Sequence, residues 1–143
     1  MKTLLISYAS KGRDDYHKSL LRLIDSALLF DLDIRAYSPD IPTNEHNGVK
    51  IIKEMPKGFI THNIIPYRFK LDLISQAVKD GYKKIVWLDS SLVIKKDLNE
   101  LFIFNGFCFH NLGHPLSSYI SDVALFLTNA NVLYAVSNTH LRA

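Results

Sequence analysis

Pro66-Tyr-Arg-Phe-Lys-Leu-Asp-Leu-Ile-Ser-Gln-Ala-Val-Lys-Asp-Gly-Tyr-Lys-Lys-Ile-Val-Trp-Leu-Asp-Ser-Ser91 reads as an amphipathic helix feeding an apolar strand that stops at a carboxylate. Pro66 sits where a first helical turn tolerates proline, and Leu71, Ile74 and Val78 recur at helical spacing with Leu73 and Ala77 beside them. Gly81 supplies a C-terminal stop. The spacing predicts a helix over 66–80, then a strand over 84–88 that is apolar on both faces, as a covered parallel strand must be. Ligands of open α/β sheets bind outside the carboxyl ends of the strands, which places Asp89 at the mouth of a site.

Outward from this stretch the pattern stays α/β. Residues 3–8 form a short apolar run bounded by a polar loop, the mark of a buried first strand. Leu20, Leu23, Ile24, Ala27 and Leu28 follow at helical spacing behind Asp14 or Asp15 as cap, predicting a helix over 16–30. Residues 33–37 make a second strand, closed by Ser38-Pro-Asp-Ile-Pro42 because proline removes ladder donors. A β-α-β start of this length implies parallel pairing. Val49, Ile51 and Ile52 suggest a further short strand, 97–102 a short capped helix, and 107–110 and 123–128 two more strands. The fold class expected is therefore α/β, a mostly parallel sheet flanked by helices.

A length of 143 residues accommodates one domain, yet is short for an enzyme with both a cofactor and an acceptor site. A hydrophobic share of 48% with only 6 Gly and 5 Pro excludes a disordered or collagenous chain. The net charge of +3 is scattered, and the pairs Lys83-Lys84 and Lys95-Lys96 are too short for a nucleic-acid stripe, so no nucleic-acid partner is expected. The lone Cys108 excludes an internal disulfide framework and reads as a buried thiol, fitting a reducing, cytoplasmic setting. Residues 1–8 lack the layout of a signal peptide, and no apolar run reaches the ~18 residues of a membrane span.

Several side chains are candidates for chemistry. Asp89 caps the loop after its strand or, with Ser90 and Ser91 nearby, ligates a hard divalent cation. His110-Asn-Leu-Gly-His114-Pro contains two histidines four apart, but Gly113 and Pro115 oppose a helix, so a loop holding polar groups is the better reading than a zinc site. Asp122 is a general base, a sugar-hydroxyl acceptor or an N-cap. Arg68 and Lys70 open the 66–80 helix, where cations oppose the helix dipole unless they face solvent or an anion such as a diphosphate. Tyr67 and Phe69 either stack on a base or pack on the sheet.

Tyr67-Arg-Phe-Lys70, the helix, Gly81-Tyr82, Ile85-Val-Trp-Leu-Asp-Ser-Ser91, Asp97-Leu98 and Leu101-Phe102 together resemble the nucleotide-sugar glycosyltransferases of the GT-A fold, in particular the glycogenin-like and bacterial galactosyltransferase-like branch. The resemblance spans about 1–128 and is strong over 66–102. It implies a Rossmann-like, GT-A type sheet and the transfer of a hexose from a nucleoside-diphosphate sugar to an acceptor that the residues leave open. In that family an Asp-x-Asp pair holds Mn2+ or Mg2+, which neutralises the departing diphosphate. Asp89 matches the first acid as metal ligand, whereas Ser91 stands where the second is expected. A weaker metal site, a substitute ligand or a loss of transfer follows from that departure, with His110, His114 and Asp122 the nearest substitutes in the chain. The Gly113-His-Pro and Ser121-Asp122 stretch is similar to a loop of phage and bacterial members.

By this resemblance Tyr67, Arg68, Lys70, Ser91 and His114 contact substrate and Asp122 is catalytic. A non-catalytic nucleotide-sugar or carbohydrate-binding module is the alternative. A phosphohydrolase would carry an Asp nucleophile after the first strand, which instead ends Ser7-Tyr8-Ala9. Finally, Val136-Ser-Asn-Thr-His-Leu-Arg-Ala143 resembles a translated transposase adapter of sequencing libraries. The expected organisation is thus a partial GT-A-like domain over 1–134, incomplete at its C-terminus, and a non-native tail over 135–143 in which His140 and Arg142 carry no function.

Overall fold

Leu4, Leu5 and Ile6 are all buried although a strand points successive side chains to opposite faces, so β1 (Thr3–Tyr8) is covered on both sides. The computed structural model describes residues 2–10, 16–61, 64–65 and 67–103, apart from the side chains of 100, 101 and 103. The expected features at Pro66, Cys108, His110, His114, Asp122, the strands at 107–110 and 123–128 and the 135–143 tail lie outside the described residues. After β1 come α1 (Tyr16–Ala27), β2 (Leu32–Tyr37), β3 (Glu45–His46), β4 (Val49–Ile52), α2 (Arg68–Lys79), β5 (Ile85–Trp87) and a 3₁₀ helix (Leu98–Ile103).

Among the described residues these strands form one sheet in the order β3-β4-β2-β1-β5. β1 pairs in parallel with β2 from Thr3↔Leu32 to Tyr8↔Tyr37, and on its other edge with β5 from Leu4↔Ile85 to Ile6↔Trp87. β2 and β4 are also parallel, while β3 folds back antiparallel on β4. The β3–β4 hairpin is absent from the sequence reading; Asn47 and Gly48, both at positive φ, form its turn.

The alternation of β1 separates the two helices. Leu5 shares a cluster with Leu23 and Ala27 of α1 and with Val86 and Leu88, whereas Leu4 and Ile6 share one with Leu73 and Ala77 of α2 and with Trp87. Each helix therefore covers its own face of the sheet, and each buried aliphatic side chain contributes roughly 1.5–3 kcal/mol of transfer free energy.

Two expectations are corrected. The first helix ends at Ala27 rather than 30, leaving Leu28 and Leu29 exposed: Leu28 N–H still reaches Ile24 O, but Phe30 N–H turns back to Ala27 O. In α2 Phe69, Leu73 and Ala77, one residue every four, face the sheet with the expected Ile74 packed beside them, while Val78 falls outside that face. Leu73 and Ala77 are 0% exposed and Val78 is 58% exposed.

α2 ends in a Schellman arrangement, with Gly81 (φ 96) N–H bonded to Val78 O and Tyr82 N–H to Ala77 O. Beyond it, Arg35 of β2 donates to Asp80 at 2.7 Å and stacks over Tyr82 at 5.0 Å, and Tyr82 donates to Asp33 at 3.2 Å. Arg35, with help from Gln76, holds the Asp80 carboxyl below its ordinary value of 3.8. A depressed carboxylate stabilises the fold above its unfolded pKa and loses that contribution as pH falls through the lower folded value. Urea unfolding is thus expected to show Asp80→Asn less stable than wild type at neutral pH, the gap closing once pH falls well below 3.8. A gap that persists in acid contradicts this ionic account.

Candidate functional site

The chain moves outward from β1 through β2 to β4 and β3, then returns to the opposite edge of β1 as β5, so strand order reverses between β1 and β5. Loops leave such a reversal point in opposite directions and open a crevice at the carboxyl ends. Leu88 N–H donates to Ile6 O at 3.1 Å and Leu4 N–H to Lys84 O at 2.8 Å, extending the ladder over the 84–88 span expected of the strand. Asp89 follows directly.

Asp89 is held from two sides. Lys70 Nζ lies 3.1 Å from Asp89 Oδ1, and Trp87 Nε1 donates to the same oxygen at 3.3 Å. The Lys70 ammonium also lies 5.3 Å from the Tyr67 ring centroid and 5.9 Å from that of Trp87, within cation–π range. The side chains of Lys70 and Asp89 are 17% and 29% exposed. This pair is partly withdrawn from water but reachable.

The local sequence explains the placement. Phe69 packs between Tyr8 and Trp87, at centroid distances of 4.8 and 5.8 Å, and so settles on the sheet the aromatic whose role was open. That anchors the first turn of α2 over the end of β5 and delivers Lys70, the next residue, to Asp89. Tyr67 precedes the helix at φ 65, a left-handed conformation costing a non-glycine residue ~1–2 kcal/mol. It does not cap the helix through its side chain; its ring lies against Lys70 instead.

Asp89 also opens a turn, its carbonyl accepting Leu92 N–H at 3.0 Å. Ser90 is buried within this turn and Ser91 faces out. The segment beyond is pinned by Ser26 of α1, whose buried hydroxyl donates to Leu23 O and accepts Ile94 N–H at 2.9 Å. Asp97 caps the 3₁₀ helix through Asn99 N–H at 2.9 Å, as the sequence indicates. Arg68 lies apart from Asp89 in its bonding: Nε meets Asp72 at 3.4 Å, one helical turn on, and Asp72 also accepts Ile60 N–H.

The sequence reading omitted other groups at the same edge. Tyr8 ends β1, and burial pushes its phenol above the ordinary 10.0 despite a hydrogen bond with Ser10, with Asp40 adding to the rise. Asp40, following β2, receives His17 Nε2 at 3.0 Å and Ser38 Oγ at 3.5 Å. Their signal was position: each follows the carboxyl end of a parallel strand or opens the following helix, though none stands in a recognisable motif.

The donor set fits a divalent cation poorly. Among the described residues no group of three or more His, Cys, Asp or Glu side chains is placed to hold a metal ion. Asp89 brings one carboxylate, and its Oδ1 already faces an ammonium and an indole N–H. A cation at that oxygen would displace both donors and stand beside Lys70, which like charge disfavours. Nor, among the described residues, is any helix long and apolar enough to cross a membrane.

The fold and site define an α/β domain with a polar cluster at the carboxyl edge where strand order reverses. Compared with protein families, curated proteins and solved structures, the chain matches none.

A double-mutant cycle on Lys70→Met and Asp89→Asn should return a coupling of about 1 kcal/mol in unfolding free energy, above most exposed pairs because this one is partly desolvated. Additive single changes would show that the two side chains do not interact in solution.

Proposed function

We propose that this chain is a GT-A-like glycosyltransferase domain of Rossmann-like topology that binds a nucleoside-diphosphate sugar. The observation that carries the reading is the Lys70–Asp89 pair at the carboxyl ends of β1 and β5, where the sheet reverses direction. The parallel order β4-β2-β1-β5 around that point supports a nucleotide site, because such sheets receive their ligands there. The resemblance over 66–102 supplies the substrate class.

Within this reading the diphosphate lies against the first turn of α2, where the positive end of the helix dipole and Lys70 favour negative charge. Tyr67, exposed beside Lys70, offers a stacking surface, and the outward Ser91 a hydroxyl contact. Asp89 accepts hydrogen bonds from donor hydroxyls. Arg68 contributes positive potential from its place on Asp72. His114 and Asp122 carry their substrate and catalytic roles by resemblance, Asp122 acting on a sugar hydroxyl or at the reaction centre.

A specific feature favours a second reading, a non-catalytic nucleotide-sugar or carbohydrate-binding module: Ser91 replaces a carboxylate and Asp89 is already paired. Calorimetry with UDP-, GDP- and ADP-sugars, alongside an assay of nucleoside-diphosphate release, separates the two. Transfer is supported when at least one donor binds, release occurs, and both fall about tenfold or more in Asp89→Ala, equivalent to ~1.4 kcal/mol. Binding without release supports the module. Binding of simple sugars but of no nucleotide sugar would sink the transferase.

A further inference from the structure

Resting on the nucleotide-sugar reading, we propose that the positive charge facing the donor diphosphate is the Lys70 ammonium in place of a divalent cation, so that the site binds its nucleotide without metal. The poor fit of the donor set to a cation is the starting point. Ser91 removes one expected ligand and faces outward from the turn, and Asp89, the one carboxylate left of the expected pair, already meets the Lys70 ammonium and the Trp87 N–H at Oδ1.

Three features equip Lys70 for the part. The rings of Tyr67 and Trp87 surround its ammonium at 5.3 and 5.9 Å and hold it in place as a partly desolvated charge. An ammonium has three N–H donors, and Asp89 Oδ1 takes one of them, which orients the head without exhausting it. The N-terminal end of the twelve-residue α2 adds the positive end of the helix dipole. The other acidic side chains described nearby have side-chain partners of their own, Asp72 with Arg68 and Asp40 with His17 and Ser38. Asp89 then serves as the positioning group for Lys70 and as an acceptor for a donor hydroxyl.

The test titrates UDP, GDP and ADP into the full chain by calorimetry, once in EDTA and once in manganese chloride, with electron paramagnetic resonance following Mn2+ added without nucleotide. The expected result is nucleotide binding of the same affinity in both buffers and no Mn2+ bound by the chain. Lys70→Met should weaken binding about tenfold or more, and Lys70→Arg should keep most of it, because charge rather than shape is at stake. Circular dichroism confirms that each variant is folded; if Lys70→Met is not, the comparison of buffers and the Mn2+ titration still decide.

Two outcomes overturn the inference: Mn2+ bound by the wild-type chain and lost in Asp89→Asn, or nucleotide bound only with manganese. The second leaves the nucleotide-sugar reading standing. Nucleotide bound in neither buffer removes both.

Discussion

Everything in this fold depends on β1 being paired along both edges and covered on both faces. β1 has parallel neighbours on both edges, β2 along its length and β5 across Leu4–Ile6, so its further stabilisation comes from what lies above and below it. Leu4 and Ile6 require one apolar partner and Leu5 another, and α2 and α1 meet those requirements separately. With the two helices on opposite faces, strand order reverses between β1 and β5, the kind of point where open α/β sheets receive ligands. The candidate site is thus a geometric consequence of burying one short strand.

The cluster at that edge has an equally local cause. Phe69 is drawn into the aromatic row of Tyr8 and Trp87, and the helix pitch then places Lys70 over the end of β5. From the opposite side, Ser26 takes the Ile94 N–H and holds the segment following Asp89. Leaving that N–H without an acceptor would cost ~1–3 kcal/mol, so the turn that presents Asp89 is tied to α1. Two unrelated anchors, one aromatic and one hydrogen-bonded, converge on a single ion pair.

The Lys70–Asp89 contact recasts the acid at the end of the strand. A strand-terminal Asp followed by two serines invites a metal-ligand reading, and the sequence offers no means of seeing that a lysine nineteen positions earlier reaches the same oxygen. The remaining acids at this edge show the same economy. Asp40 and Asp72 each have partners close in space, and that partnering leaves a site whose character is set by a held ammonium as much as by a carboxylate.

By itself the sequence determined the α/β class of the fold and pointed to the strand end where the candidate site lies. Apolar runs at 3–8 and 84–88, short and bounded by polar or turn residues, fit strands covered on both faces, and Gly81 and Asp97 mark where a helix stops and where another begins, because these signals act within a few residues. Only the tertiary structure decided the rotation of α2, the early end of α1, the β3–β4 hairpin and the partners of Arg68, Lys70 and Asp89. Those depend on which side chains meet across the sheet. Ala77 buried and Val78 exposed is a choice made by the strand surface beneath them, and Arg35 finding Asp80 is a contact between residues forty-five positions apart. Hydrophobic period is a property of one segment, whereas pairing of charges belongs to two segments brought together by packing.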